Sequence, residues 1–187
     1  MKKLIPLLLA FLCLAGCSQT KSHQNTAKGG EKMSSKVLFI NASQNKDGNT
    51  VKMGKDLLNG TSYDQINLID YRIGFLGQKL KDDQFKEVTD LVKQADTIVI
   101  GTPVYWHSMS GALKTLIDRA SEDTSSNPFK GKKLYFFMQG AAPTELSKES
   151  TVYIIQRFAN QLGMELKGTA TDSNQLQKLK TTLENDK

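Results

Sequence analysis

The chain has 187 residues, a formal net charge of +6 and two cysteines, Cys13 and Cys17. Its lysines are scattered, and the sequence has no basic stripe with interleaved aromatic residues, which argues against a nucleic-acid-binding protein.

The first 16 residues have the pattern of a signal peptide. Lys2 and Lys3 precede an apolar run over residues 4–14, which is too short to span a membrane. The following Leu-Ala-Gly-Cys, ending at Cys17, resembles the bacterial lipobox, in which cleavage precedes a cysteine whose sulfur carries diacylglycerol. We therefore predict a lipid anchor at Cys17 and a location on the extracytoplasmic face of a bacterial membrane. The alternative is an ordinary secretory signal with an incidental cysteine.

Cleavage of this signal peptide would simplify the mature chain. Loss of Lys2 and Lys3 lowers the formal net charge from +6 to +4, and Cys13 is lost as well. With Cys17 acylated, the domain has no thiol for a disulfide, a sulfur-bound metal or catalysis, and no metal site is predicted. Residues 17–35 are then the lipidated cysteine and a polar, flexible tether. Residues 36–187, about 150 residues, suffice for one domain with a sizeable core.

Predicted strands and helices alternate along this domain. Strands are expected over residues 36–42, 63–69, 97–101, 133–138 and 165–170. Helices are expected over 49–58, 82–95, 110–120 and 145–162, and around Leu176, Leu179 and Leu183, with an irregular connection over 71–80. This order predicts an α/β three-layer sandwich of the flavodoxin-like type, with helices on both faces of a five-stranded parallel sheet in the order 2-1-3-4-5.

The loop between the first strand and the first helix has the composition of a phosphate-binding turn. Ser43, Asn49 and Thr50 supply side-chain donors, with Asn45 as a further candidate, and Gly48 allows the backbone to approach a ligand closely. The loop has neither the Gly-Lys-Ser/Thr of a Walker loop nor the G-x-G-x-x-G of a dinucleotide site. The alternative is a polar turn with an Asn or Thr helix cap.

Residues 97–119, TIVIGTPVYWHSMSGALKTLIDR, are predicted to begin as a buried strand and to end as a helix. We expect the strand to break at Gly101 and Pro103 into an aromatic turn, Tyr105-Trp106-His107, with Pro103 fixing a turn. This stretch resembles the flavodoxin-like NAD(P)H-dependent FMN reductases and quinone reductases, whose pattern is close to S/T-P-V-Y-W-x-x-M-S-x-x-L-K-x-x-I-D-R. The matching residues are Thr102, Pro103, Val104, Tyr105, Trp106, Met109, Ser110, Leu113, Lys114, Ile117, Asp118 and Arg119. The resemblance covers about residues 36–165.

This resemblance implies an FMN cofactor held by three loops. Such reductases carry S-x-x-x-x-G/S-N-T in the first loop, which assigns the phosphate to that loop. The flavin ring would contact residues 103–107, which are Pro103, Val104, Tyr105, Trp106 and His107. The turn after the fourth strand, with Gln139, Gly140 and Ala141, would border the ring edge, although it departs from the Gly-rich or Thr/Ser-containing loop of such reductases.

Several residues of this stretch have alternative interpretations. His107 occupies a variable position and is equally consistent with a surface residue. Trp106 and Met109 are equally consistent with contacts in a homodimer, which the resemblance implies. Asp118 and Arg119 are expected to support the fold or a dimer rather than to act in catalysis. Residues 71–85 contain no cysteine, which excludes the iron–sulfur variant of the family.

The expected function is that of an FMN-dependent NAD(P)H oxidoreductase that reduces a quinone, free flavin or similar small-molecule acceptor, with NADPH or NADH as reductant. No catalytic side chain is predicted, because the chemistry takes place at flavin N5. One alternative is a membrane-tethered FMN-binding electron carrier without direct NAD(P)H activity, since NAD(P)H is scarce outside the cytoplasm. Another is a non-enzymatic solute-binding lipoprotein.

Overall fold

The computed structural model describes residues 36–122 and 126–186. The predicted signal peptide, Cys17 and the tether lie outside these residues, so their assignments stay predictions. Within the part of the chain that is described, no helix combines the length and the apolar character needed to cross a bilayer.

Strands and helices alternate in the structure much as the sequence predicts. The strands are β1 Val37–Asn41, β2 Tyr63–Asn67, β3 Thr97–Tyr105, β4 Ser108–Met109, β5 Lys133–Gln139 and β6 Glu165–Ala170. The helices are α1 Asn49–Leu57, α2 Phe85–Gln94, α3 Gly111–Arg119, α4 Glu145–Gln161 and α5 Ser173–Asn185, and a 3₁₀ turn spans Leu68–Asp70.

Five strands form a parallel sheet in the order β2-β1-β3-β5-β6, which confirms the predicted order 2-1-3-4-5. The short strand β4 is an addition that the sequence did not predict, and it pairs antiparallel with β3. Since β1, β3 and β5 are neighbours, the loops that follow them meet at one edge of the sheet.

Alternate residues of the strands face two separate apolar layers, as expected for a parallel sheet covered on both sides. One layer packs against α2, α3 and α4 and contains the strand residues Leu38, Ile40, Ile98, Ile100, Leu134 and Phe136. The other packs against α1 and α5 and contains Val37, Phe39, Val99, Tyr135 and Phe137. Each large apolar side chain that is fully buried contributes about 1.5–3 kcal/mol.

Helix α1 lies very close to the sheet because a glycine faces an aromatic ring. A Cβ atom added to Gly54 would lie 2.3 Å from the Phe39 ring. The Phe39 ring stacks on Phe137, with centroids 6.1 Å apart, and meets the edge of Tyr63 at 6.4 Å. The glycine therefore fixes the height of α1, and with it the position of the loop that precedes the helix.

An ion-pair cluster around Arg119 fastens the connection between β2 and α2. The Arg119 guanidinium donates to the Asp83 carboxylate (2.8 Å) and to the Gly74 carbonyl (3.0 Å), pairs with Glu122, and lies 4.7 Å from the centre of the Phe85 ring. Its hydrogen bond holds the pKa of Asp83 at about 2. The structure thus places Arg119 in a fold-supporting ion pair.

The same aspartate explains why α2 begins later than predicted. The Asp83 carboxylate accepts hydrogen bonds from the backbone N–H groups of Phe85 and Gly74, both at 2.9 Å. A side chain that binds backbone donors in this way competes with helix formation. The helix consequently starts at Phe85 and not at Asp82.

Candidate functional site

Three loops that the sequence singles out converge at the carboxyl ends of β1, β3 and β5. The side-chain amide of Gln139, at the end of β5, donates to the hydroxyl of Thr50 at the start of α1 (3.1 Å). A Cβ atom added to Gly140 would lie 3.0 Å from the Cβ of Val104, at the end of β3. The third loop therefore contacts both of the others, beside the point between β1 and β3 where the strand order reverses direction.

The first loop is closed by hydrogen bonds to buried side chains. The Ser43 hydroxyl, 4% exposed, accepts from the backbone N–H of Asn45 (3.1 Å), and the Ser43 N–H donates to the Asn41 side chain (3.1 Å). Thr50 is fully buried, whereas Asn45 and Asn49 are exposed. Polar donors thus occur along the loop both at its buried base and at its exposed rim.

The loop ends at an uncapped helix N-terminus. Gly48 is the N-cap residue of α1, and no side chain in the described structure caps the helix there. The alternative of an Asn or Thr cap is therefore not what the structure has. The first backbone N–H groups of a helix lack intrahelical partners and carry partial positive charge, so this end of α1 is suited to an anion.

Position 48 requires glycine because a side chain there would collide with Asn45, and not because of its backbone conformation. Its φ of −76° is accessible to any residue. A Cβ atom at this position, however, would lie 2.9 Å from the Cβ of Asn45. The loop folds back on itself closely enough that only glycine fits, which is the close backbone approach that a phosphate cradle requires.

A basic residue in the same loop is paired with an acid outside it. Lys46 forms an ion pair with Asp70, in the 3₁₀ turn after β2. The hydrogen bond from Lys46, followed by one from Asn67, lowers the pKa of Asp70. Both charged side chains are largely exposed, and such pairs contribute little to stability.

The second loop differs from its prediction. Strand β3 does not break at Gly101 and Pro103 but continues to Tyr105, reverses over Trp106 and His107, and returns as β4. The expectation that Pro103 fixes a turn is wrong, because Pro103 lies within the strand, in register with Gln139.

The position of Pro103 in the sheet explains why a proline is tolerated there. The carbonyl of Gly101 accepts from Ala42, so Gly101 and, two residues on, Pro103 direct their backbone groups toward β1. Strand β1 has already ended at Asn41. The missing N–H of Pro103 therefore faces a part of the sheet edge that needs no donor.

The hairpin tip presents an aromatic ring on strained backbone. Trp106 and His107 have φ values of 49° and 62°, a region that costs non-glycine residues about 1 kcal/mol or more each. The Trp106 side chain is 97% exposed and Tyr105 is 37% exposed. His107 is exposed as well. A large apolar ring held in water by an unfavourable turn indicates a binding surface.

Two buried hydroxyl groups anchor this hairpin to α3. The Ser110 N–H donates to the Thr102 hydroxyl (3.1 Å), and the Ser110 hydroxyl caps α3 by accepting from the Leu113 N–H (3.2 Å). Met109, only 5% exposed, packs in the core layer beneath α3. Its side chain is therefore unavailable for the dimer contact given as an alternative, while that of Trp106 remains available.

The third loop is short and made of small residues. Gln139 is half-buried, while Gly140 and Ala141 are exposed beside Val104 and ahead of α4. Thr144 caps that helix by accepting from the Ser147 N–H (3.2 Å). The loop places two small, exposed residues at the sheet edge, next to the link between Gln139 and Thr50.

The assembled site combines an end suited to an anion with a region bordered by the second and third loops. Donors from the loop over residues 43–50 meet the N-terminus of α1, and residues 103–107 and 139–141 border the space beside it. Among the residues described, no group of three or more His, Cys, Asp or Glu side chains is arranged to hold a metal ion. These groups suit a ligand that has a phosphate and a planar ring system.

Sequence reasoning overlooked Asn41 and Asn67, which lie under the first loop at the ends of β1 and β2. The Asn41 amide donates to the side-chain oxygen of Asn67 (3.1 Å). The available signal was Asn41 itself, since a polar amide ends an otherwise apolar strand.

A separate groove of about 290 Å³ lies away from these loops. Its walls include Phe85, Arg119 and Phe129, and none of its lining residues belongs to the three loops. The Arg119 ion pairs that form one wall fasten the β2–α2 connection. We assign the function to the loop edge, where the polar donors converge.

Comparison with known proteins agrees with this geometry. Residues 35–165 match the family described as NADPH-dependent FMN reductase. A Bacillus subtilis (strain 168) protein, provisionally named NAD(P)H-dependent FMN-containing oxidoreductase YwqN, is 25% identical over 148 residues, covering 71% of this chain and 82% of that protein. An iron-sulfur flavoprotein of Archaeoglobus fulgidus is 34% identical over 98 residues, covering 46% of this chain and 48% of that protein.

A solved structure supports the fold independently. The Trp repressor binding protein from Bacillus subtilis superposes with a TM-score of 0.62 at 18% identity, covering 78% of this chain and 98% of that one. At this identity the likeness shows the fold, which is the flavodoxin-like α/β sandwich that the strand order indicates.

Proposed function

The chain belongs to the NADPH-dependent FMN reductase family, and on this premise we propose that it is an FMN-dependent NAD(P)H oxidoreductase acting on a small-molecule acceptor, a quinone or free flavin. The observation that supports this most is the contact between Thr50 and Gln139. It joins the phosphate-type loop to the loop that borders the rest of the site.

The residues present fit FMN. The cradle at Gly48, which a Cβ would fill, and the uncapped start of α1 suit a phosphate dianion, with Ser43, Asn49 and Thr50 as side-chain donors. The backbone and side chains of residues 103–107, together with Gln139, Gly140 and Ala141, would border the ring. When bound, FMN supplies the hydride chemistry that links NAD(P)H to the acceptor.

The protein's contribution is to position the reactants. Tyr105 and Trp106 present aromatic surface to solvent at the edge of the site, where a nicotinamide or quinone ring can stack. The site needs no side-chain nucleophile or base. The buried hydroxyl anchors at Thr102 and Ser110 hold the hairpin in place while reactants exchange.

The cell location and assembly remain part of the proposal. We propose that Cys17 carries a lipid anchor, which rests on the Leu-Ala-Gly-Cys sequence that follows the apolar run. We also propose a homodimer in which the partner contacts the edge of the exposed Trp106 ring and leaves one of its faces open to the site. Labelled fatty acid should be incorporated into wild type but not into Cys17→Ser, which tests the anchor. Sedimentation should show a dimer for wild type and a monomer for Trp106→Ala, which tests the assembly.

An anaerobic titration tests the proposed activity. The full-length chain, purified in detergent and loaded with FMN, should lose its flavin absorbance rapidly on addition of NADPH or NADH and regain it with a quinone. An unchanged spectrum would contradict the reductase and favour a tethered electron carrier that is reduced by another protein. A chain that does not take up FMN would contradict both and favour a solute-binding lipoprotein.

A matched pair of double variants tests the phosphate assignment. Asn49→Ala with Thr50→Val should weaken FMN binding by at least about tenfold, since a hydrogen bond to a charged group contributes about 1.5–3 kcal/mol. Asn59→Ala with Thr61→Val removes the same residue types beyond the other end of α1 and should leave affinity unchanged. Equal FMN affinity in the two double variants would contradict the assignment.

A further inference from the structure

Asn41 is a fully buried amide at the end of an otherwise apolar strand. The four residues before it in β1 are valine, leucine, phenylalanine and isoleucine, each of which packs in one of the two core layers. A buried amide is costly unless its polar atoms are hydrogen-bonded. The partners of Asn41 therefore indicate what the amide is for.

Each bond of the Asn41 amide leads to the first loop or to its support. Its oxygen accepts from the N–H of Ser43 and its nitrogen donates to the carbonyl of Asn45, both at 3.1 Å. The nitrogen also donates to the Asn67 side chain (3.1 Å). One side chain thus holds both ends of the Ser43–Asn45 turn and ties it to the end of β2.

Asn67 extends this support. Its oxygen also accepts from the Gln65 amide (3.0 Å), and its nitrogen donates to Asp70 (3.1 Å), which pairs with Lys46 of the same loop. Asn41 and Asn67 are in register across β1 and β2, so the parallel sheet itself sets their distance. The loop is therefore held from two adjacent strands.

We propose that Asn41 is a positioning residue for the FMN phosphate, an inference that rests on the proposed function. Both of its N–H donors are engaged with protein atoms and its oxygen faces the Ser43 N–H, so it acts through the loop and does not touch the ligand. Because Asn41 fixes the turn before the ligand binds, the loop does not lose conformational entropy when it binds the phosphate.

The test compares FMN with riboflavin, which carries the same ring system without the phosphate. In full-length Asn41→Ala, the preference for FMN over riboflavin should fall by about tenfold or more, the equivalent of losing one hydrogen bond to a charged group. Riboflavin affinity should change much less. If Asn41 had a purely structural role, the affinities for FMN and riboflavin would fall by the same factor and the preference would be unchanged.

Asn127 provides a matched control outside the site. Its amide donates to the Leu162 carbonyl (2.8 Å) and its oxygen accepts from the Phe129 N–H (3.0 Å), the same bracing of a turn at a different place in the fold. Asn127→Ala should lower stability without changing the FMN preference. A similar loss of preference in both variants would contradict the inference.

A second variant covers the case in which Asn41→Ala does not fold. Asn67→Ala removes one partner of the Asn41 amide at a half-buried position, and it should lower the FMN preference by a smaller factor. An unchanged preference in Asn67→Ala would overturn the role. If wild type binds neither FMN nor riboflavin, the proposed function is wrong. If wild type binds both with equal affinity, the phosphate is not recognised, although the proposal that the site binds a flavin still stands.

Discussion

Replacing Gly54 by alanine is expected to destabilise the protein, although alanine is the better helix former. In an open helix the change would gain up to about 1 kcal/mol. Here the added Cβ would lie 2.3, 2.5 and 3.0 Å from three atoms of the Phe39 ring, where carbon atoms normally stay about 3.5–4.0 Å apart. The ring cannot withdraw, because it is fully buried between Phe137 and Tyr63.

The magnitude follows from these opposing effects. Overpacking of this kind lowers the free energy of unfolding by about 1–3 kcal/mol. The added Cβ would overlap the ring by more than 1 Å, so the upper end of that range applies. After the gain in helix propensity, Gly54→Ala should lower the free energy of unfolding by about 2 kcal/mol. For a domain of this size, that is a fall in Tm of roughly 4–8 °C.

Urea unfolding followed by circular dichroism measures this effect, with two companion variants. Gly111→Ala makes the same change in α3, where no atom of residues 36–122 or 126–186 lies within 4 Å of the added carbon, and should be neutral or stabilising by up to about 1 kcal/mol. In a Phe39→Leu background the clash is relieved, so Gly54→Ala should cost much less there than in wild type. Full stability of Gly54→Ala alone, or additive effects in the double variant, would refute the steric reasoning.

Three further perturbations have expected outcomes. The Arg119 hydrogen bond lowers the pKa of Asp83 from 3.8 to about 2 in the folded protein. The contribution of this ion pair to the free energy of unfolding is therefore fully present above the unfolded-state pKa of 3.8, and it is lost as the pH falls through the folded-state pKa of about 2. Asp83→Asn should therefore be roughly 1–2 kcal/mol less stable than wild type at pH 7, and its free energy of unfolding should fall less steeply as the pH is lowered. Parallel pH profiles of the free energy of unfolding for variant and wild type would contradict this. Replacing Trp106 and His107 by Asn and Gly, which suit a two-residue hairpin with positive φ, should relieve the backbone strain but remove the exposed ring, and so slow turnover with NADPH. Unchanged kinetics would show that Trp106 takes no part in the site. The hydroxyl of Thr151 is fully buried and has no hydrogen-bond partner among the residues that the structure describes. Thr151→Val should therefore leave the free energy of unfolding unchanged or raise it by up to about 1 kcal/mol in the same urea assay, and a marked loss would reveal a bond to that hydroxyl.

The fold was readable from the sequence mainly because its central strands β1, β3 and β5 are apolar on both faces. Residues 133–138, for example, lie within one residue of the observed β5. Continuous apolar runs separated by amphipathic helices favour a parallel sheet, and few strand orders suit five such units. Helix starts were less accurate where a side chain binds backbone donors, as Asp83 does before α2.

An aromatic turn over Tyr105, Trp106 and His107 was expected, but the extension of β3 to Tyr105 and the return strand β4 were missed because the local signals point the other way. Proline disfavours a strand interior, and a two-residue turn with positive φ favours Asn and Gly over Trp106 and His107. Only the sheet explains the outcome, since β1 ends before Pro103 and leaves its nitrogen without a required partner. Tertiary context overrides local propensity at this point.

The residues of the site were readable one loop at a time, whereas their contacts were not. Composition identified the loop over residues 43–50, but the bond between Gln139 and Thr50 joins residues 89 positions apart. The bond between Asn41 and Asn67 likewise depends on strand register. Such pairs require the three-dimensional arrangement, because nothing in the local sequence of either partner marks the other.

Helix α5 affects how this protein reaches its native state during synthesis. Its residues Leu176, Leu179 and Leu183 complete the layer beneath Phe39, and Lys180 forms an ion pair with Asp56 of α1, 124 positions earlier. As a nascent chain leaves the ribosome, α1 emerges long before the helix that packs beside it. The start of α1 and the loop over residues 43–50 therefore reach their final packing only after α5 has emerged, although they are encoded near the start of the domain.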